Sequence, residues 1–240
     1  PPKDQLLHID LTGRDPDEAV TQVAYEKGAL LLKTMETLVG RPAFDAFLRN
    51  YFDEHAFQSL TTEQFVKYLQ TNLLAKHPDA SQRIDLTAWL EQPGLPPGHF
   101  SPTSAPLREV ERNAARWVKG ELASDQLPAR DWNTFEWLQF LGAIPVGTRS
   151  ERLSELDRCF ELSRQGNNEI LEAWLRIGLR ENYAPAWSRA EEFLISVGRR
   201  KYLMPLYTQM IKTPSGRQKA KAIYAKARPG YHPIAVDSVD

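Results

Sequence analysis

An all-α fold is predicted for this 240-residue chain from three features. Apolar residues recur at three- and four-residue intervals over most of its length, helix caps and breakers fall between those stretches, and no convincing strand pattern follows the first dozen residues. With 42% hydrophobic residues the chain can build a real core. The 30 Lys+Arg and 31 Asp+Glu leave a net charge of −1, which gives no global attraction to nucleic acid or anionic lipid and confines binding to local sites. No run of about 18 apolar residues is present to span a bilayer, so no membrane partner is expected. The single Cys159 allows neither an internal disulfide nor a zinc site built from several thiolates. The opening Pro1-Pro2-Lys3-Asp4 has no initiator Met and no signal-peptide regions, so a trimmed segment is expected. A cytoplasmic location is the default, with periplasmic or secreted locations left open.

Leu7, Ile9 and Leu11 alternate with His8 and Asp10, which predicts a short extended arm. Asp15 as N-cap, Pro16 in the first turn and Glu18 as the returning acid of a capping box predict a helix start. The helix should run through Val20, Val23, Ala24, Leu31, Met35 and Leu38 until Gly40 and Pro42 end it. Phe44, Phe47, Leu48, Tyr51 and Phe52 give a second amphipathic helix with an aromatic stripe. A third, through Phe65, Tyr68 and Leu69, is announced by a Thr61/Gln64 capping box and a Leu60/Phe65 staple, and a shorter helix should run from Asp85 through Trp89.

The stretch PGLPPGHFSPTSAP carries five prolines and is the best boundary, dividing the chain into 1–92, a linker at 93–106, and 107–240. Helical spacing returns near 106–123, 131–144, 150–161, 168–181, 185–197, 203–212 and 217–227. Asp131 and Ser150 are the expected caps, Pro185 a first-turn residue and Gly198 a C-terminal stop. Successive helices joined by short turns must pack as antiparallel pairs, in a solenoid or bundle without a fixed repeat.

A metallopeptidase helix needs two histidines one turn apart, and His8, His55, His77, His99 and His232 are scattered, so this chain alone is expected to bind no zinc. Phosphate-binding glycine loops, nucleophile elbows and dinucleotide fingerprints are also missing. Gly28 sits inside a helical pattern at a cost of about 1 kcal/mol relative to Ala, which points to a close approach there. By itself Tyr25 reads as a half-buried tyrosine with a satisfied hydroxyl, and Arg199-Arg200-Lys201 as a solvated turn. The aromatic stripe and the six tryptophans read as core.

The segment VAYEKGALLL, preceded by HIDLTGRDPDEA, resembles the tyrosine-bearing helix of the aminopeptidase N and leukotriene A(4) hydrolase family of zinc aminopeptidases. WLEQPGLPP at Trp89–Pro97, Gly198-Arg199-Arg200-Lys201-Tyr202 and Tyr231-His232-Pro233-Ile234 resemble the leukotriene hydrolase branch, so the likeness covers essentially the whole chain. The resemblance implies the helical end of the peptidase catalytic domain followed by an α-helical solenoid domain. It implies that Tyr25 donates a hydrogen bond to the tetrahedral oxyanion, as a phenol can without being charged at neutral pH. It gives Arg199 and Lys201 the recognition of a substrate carboxylate, and Asp17 a place in the substrate pocket. Extended backbone after Gly198 would point positions i and i+2 to one side, with Arg gripping in two hydrogen bonds and Lys acting as a point charge. Val20 stands where animal members have a second tyrosine, so a peptide, not an epoxide, is the implied substrate. Zinc would be bound in the intact enzyme by residues outside this chain, and the implied partners are peptides and the missing N-terminal part of the same enzyme. The competing class is a non-catalytic helical scaffold that binds a protein partner.

Overall fold

The computed structural model describes residues 4–13 and 21–240, and the helix start expected at Asp15–Glu18 lies outside the described residues. Among the described residues there is no strand. The chain divides into two compact units, Pro1–Thr103 and Ser104–Asp240.

The first unit carries α1 (Gln22–Val39), α2 (Arg41–Glu54), α3 (Thr62–Asn72) and the short α4 (Pro78–Arg83) and α5 (Leu86–Glu91). Gly40 alone joins α1 to α2: its N–H donates to the Glu36 carbonyl and its own carbonyl accepts from Phe44. Its backbone angles, φ 85° and ψ 147°, are open only to glycine. On α2, Phe44 and Phe47 are buried and Tyr51 is half-buried against Tyr68 and Phe65, whereas Phe52 is 66% exposed. The stripe is therefore wider than the buried face, because Phe52 stands about 100° round the helix from Tyr51. The expected capping box forms, with the Thr61 and Gln64 side chains each receiving the other's backbone N–H. The predicted arm does not pair as a strand; the N–H groups of Leu7 and His8 both donate to the Leu90 carbonyl. His8 Nδ1 lies 2.7 Å from Glu91 Oε1, and this hydrogen bond raises the imidazole pKa.

The second unit contains α6 (Ala105–Val118), α7 (Thr134–Gly142), α8 (Ser150–Phe160), α9 (Asn168–Arg180), α10 (Ala184–Ser196), α11 (Arg200–Met210), α12 (Pro214–Ala227) and α13 (Pro233–Val239). Helices α7, α9, α11 and α13 pack in succession, and α10 packs on α12. Contact between second neighbours along the chain produces the two-layered solenoid arrangement. Trp117, Phe140, Leu153, Trp174, Leu194 and Leu206 form part of its buried core. Of the six tryptophans, Trp89, Trp117, Trp137 and Trp174 are buried, while Trp132 and Trp187 are half-buried.

Several expected boundaries shift for identifiable reasons. Helix α6 stops at Val118 because Gly120 turns into the left-handed region at φ 77°. Asn133, not Asp131, caps α7, since only Asn133 has an acid, Glu136, placed to complete a capping box, while Asp131 closes a 3-10 turn. Arg149 occupies the N-cap of α8, which makes Ser150 its first helical residue. Pro185 falls in the first turn of α10 as expected, but the segment beyond Gly198 becomes helical three residues earlier than the predicted 203.

Two helical glycines have opposite surroundings. A Cβ on Gly28 would meet only Leu7 Cδ2, at 3.9 Å, so the close approach expected there is not found among the described residues. A Cβ on Gly178 would stand 2.2 Å from the Ala186 Cβ, where α9 crosses α10. Accordingly, Gly28→Ala should stabilise the chain by up to about 1 kcal/mol through helix propensity. Gly178→Ala should destabilise it by about 1–3 kcal/mol through overpacking. Urea midpoints of the two variants moving in the same direction would contradict this difference.

Candidate active-site residues

In α1, Lys27, Leu31, Thr34 and Met35 are buried, at the i, i+4, i+7 and i+8 spacing of one helix face. Tyr25 and Leu32 lie seven residues apart and share a different face, 65% and 37% exposed. The Tyr25 hydroxyl makes no hydrogen bond with another described residue. This differs from the half-buried, satisfied tyrosine that the residue alone would suggest.

The buried face of α1 is held by polar contacts as well as apolar ones. Lys27 is 5% exposed, and its ammonium donates to two carbonyls, Gln92 O at 2.6 Å and Gln5 O at 3.2 Å. Desolvation by burial lowers its pKa. Two turns further on, the Thr34 hydroxyl donates to the Leu30 carbonyl and accepts the Phe100 N–H at 2.8 Å. Lys27 was absent from the expected site, although its spacing between Val23 and Leu31 placed a charge within an apolar stripe, a signal that sequence reading could have used.

In the second unit, Arg199 is the N-cap of α11, and its carbonyl accepts the N–H groups of Tyr202 and Leu203. Lys201 therefore lies in the first helical turn, not on extended backbone. The two cations nevertheless meet at one ring: Arg199 Cζ and Lys201 Nζ are each 5.6 Å from the Tyr202 centroid. Lys201 Nζ also lies 2.5 Å from Glu169 Oε1, which accepts a second hydrogen bond from the Tyr202 hydroxyl at 2.8 Å. These bonds, Lys201's first, hold the Glu169 carboxyl below its ordinary range. The contribution of that cluster to stability is present above the usual glutamate range and is lost as pH falls through the lowered value. Arg199 is exposed and makes no ion pair among the described residues. Glu169 and Tyr202 were not anticipated, because nothing local in the sequence links α9 to α11.

Beside this cluster runs a groove of about 760 Å³ whose lining includes Glu169, Glu172, Arg176, Met204 and Pro205. Burial raises the Glu172 carboxyl pKa, and Oε1 lies 3.4 Å from Arg176 Nε without hydrogen-bond alignment. Arg199 and Lys201 are thus brought together in one unit, Tyr25 belongs to the other, and Asp17 and Val20 lie outside the described residues.

Among the described residues, no group of three or more His, Cys, Asp or Glu could hold a metal ion. The described residues do not fit a zinc site. No helix among them is long and apolar enough to cross a membrane.

Residues 4–86 match the family model for the peptidase family M1 domain, and residues 132–240 match that for leukotriene A4 hydrolase, C-terminal. The chain belongs to the M1 peptidases, in the branch that carries the leukotriene hydrolase helical domain. Among its relatives are aminopeptidase B of Mus musculus, 30% identical over 244 residues (95% of this chain, 37% of that protein), and leucine aminopeptidase 2 of Pyricularia oryzae, 30% identical over 237 residues (95% and 38%). The fold is shared with yeast leukotriene A4 hydrolase in complex with bestatin, at a TM-score of 0.87 and 24% identity over 100% of this chain and 42% of that one. The native enzyme from Saccharomyces cerevisiae gives a TM-score of 0.78 at 25% identity, covering 99% and 41%. The chain therefore spans about two fifths of the length of these proteins.

Proposed function

We propose that the intact protein bearing this chain is a zinc-dependent aminopeptidase that removes N-terminal residues from peptides. In this reading, residues 1–92 are the C-terminal portion of the catalytic domain, 93–106 a linker and 107–240 the C-terminal helical domain, with zinc ligands supplied by other polypeptide. The observation that carries the reading is Tyr25: a tyrosine in the VAYEKG helix, 65% exposed, whose hydroxyl no described residue engages. An aromatic donor left open in this way is free to meet a substrate. Its role is to donate a hydrogen bond to the oxyanion that forms at the scissile carbonyl, where a fixed donor lowers the barrier because charge develops there. By its motif Asp17 is assigned to substrate binding. The names of the aminopeptidase relatives support the same class.

Arg199 and Lys201 recognise the peptide's C-terminal carboxylate, and their surroundings divide the work between them. The guanidinium of Arg199 makes no ion pair with a described residue and feels Glu169 only at longer range, while Lys201 is already paired with Glu169. Release of N-terminal residues by the intact protein tests the reaction class, and complete inactivity on peptides would favour the scaffold. For peptides with a free terminal carboxylate, Arg199→Ala should raise KM about 10- to 100-fold, the worth of a charge-assisted hydrogen bond. Lys201→Ala should raise it less. Amidated peptides should show neither effect, and equal KM changes for amidated and free forms would remove both residues from carboxylate recognition.

A further inference from the structure

We infer that Lys27 is a positioning residue for Tyr25: its buried ammonium fixes the roll of α1 and thereby the placement of the phenol on the outer face. The inference rests on the proposed role of Tyr25, but its geometry stands apart from it. Lys27 is two residues from Tyr25, about 200° round the helix, so one faces inward when the other faces out. Its two acceptors come from segments far apart in sequence. Gln5 belongs to the arm before α1, and Gln92 follows α5 at the end of the helical array. The same arm is tied to the same end by the bonds from Leu7 and His8 to Leu90 and by His8 to Glu91.

A buried ammonium is costly, and apolar residues would fill the same volume more cheaply. What an apolar side chain lacks is direction. Packing of Leu31 and Met35 resists separation of α1 from its neighbours but resists a small rotation weakly, whereas two hydrogen bonds from one nitrogen tolerate little movement. A few degrees of roll at the axis moves a tyrosine hydroxyl on the far side by a sizeable fraction of an ångström. An oxyanion donor is sensitive to displacement on that scale, since misplacement by about 1 Å can cost 100-fold in rate. Thr34, bound to the Phe100 N–H two turns on, restrains the other half of the helix.

The test uses the intact protein, with Lys27→Met to keep the volume and remove the donor, Tyr25→Phe, and the double variant. Lys27→Met should lower kcat about 10- to 100-fold with KM changed less than twofold. In the Tyr25→Phe background it should lower kcat no further, because the group it positions is gone. Multiplicative losses would make Lys27 a structural residue and overturn the inference. Lys27→Gln, which retains two donor hydrogens on a shorter stem, should recover part of the rate and carries the same cycle if the Met variant does not fold. A 3-fluorotyrosine at position 25 gives a readout independent of catalysis: one sharp fluorine resonance in the parent, broadened or split by Lys27→Met. An unchanged resonance would overturn the anchor even if Tyr25 is catalytic. If Tyr25→Phe leaves kcat intact, the proposed function fails while the fluorine signal still decides the anchor.

Discussion

In the intact peptidase, Tyr25→Phe is expected to lower kcat about 100- to 1000-fold and to leave KM within a few-fold of the parent. The substitution removes one oxygen, bonded to no described residue, from a side chain that is 65% exposed, so it should leave the fold of this unit undisturbed. That separation of stability from rate makes the variant informative. A hydrogen bond that strengthens only as charge develops on the carbonyl oxygen acts on the transition state and not on substrate binding, which places its loss in kcat. Steady-state kinetics on a short peptide, paired with a thermal melt, separates the outcomes. A matched fall in Tm would assign the loss to unfolding, and an unaltered kcat would exclude Tyr25 from the reaction.

The largest effect on stability should come from Trp174→Ala in α9. This side chain is fully buried, stacks edge-on to Tyr183 at 5.9 Å, and donates from Nε1 to the Ser163 hydroxyl at 3.0 Å. Ser163 in turn donates from its hydroxyl and its backbone N–H to Asp157, each at 2.7 Å, and Asp157 also accepts from the Tyr183 hydroxyl at 3.0 Å. The indole therefore sits over a polar network that joins α8, α9 and the turn before α10. Its removal leaves a large cavity and takes from the Ser163 oxygen the hydrogen bond it accepted, for an expected loss of about 3–5 kcal/mol. For a unit of this size, that lowers Tm by roughly 10–20 °C. Trp174→Phe keeps most of the ring and loses the Nε1 bond, so it should cost far less. Equal losses for the two variants would show that the hydrogen bond, and not the filled volume, carries the stability.

Much of this architecture was legible because helices announce themselves locally. The Thr61/Gln64 box, the Gly40 stop and the apolar spacing of α9 are each contained within a few residues, and each has its predicted consequence. What escaped was decided by residues distant in sequence. Glu169 and Lys201 lie 32 positions apart, and only the packing of α9 on α11 joins them. Lys27 and Gln92 are 65 apart. The start of α11 was misplaced for a related reason: Gly198 reads as a point where the chain opens out, yet a Cβ placed there would stand 3.5 Å from the Gly230 carbonyl oxygen and from Tyr231 Cδ1, and the helix resumes directly after Arg199. Tyr25 was selected by its motif, while its exposure and that of Arg199 depend on which face each helix turns inward.

The one-residue corner at Gly40 has a consequence for how this unit can vary. A longer connection could absorb an extra residue by bulging, but a corner made of a single glycine between two regular helices has no slack. One residue added to α2 before Phe44 would turn everything after it by about 100° about the helix axis. Phe44 and Phe47 would then swing towards solvent and charged neighbours towards the interior. Length at this point is thus quantised by the helical repeat, and growth or shrinkage of the chain must fall elsewhere, in the connections that touch neither the phenol-bearing helix nor its aromatic partner.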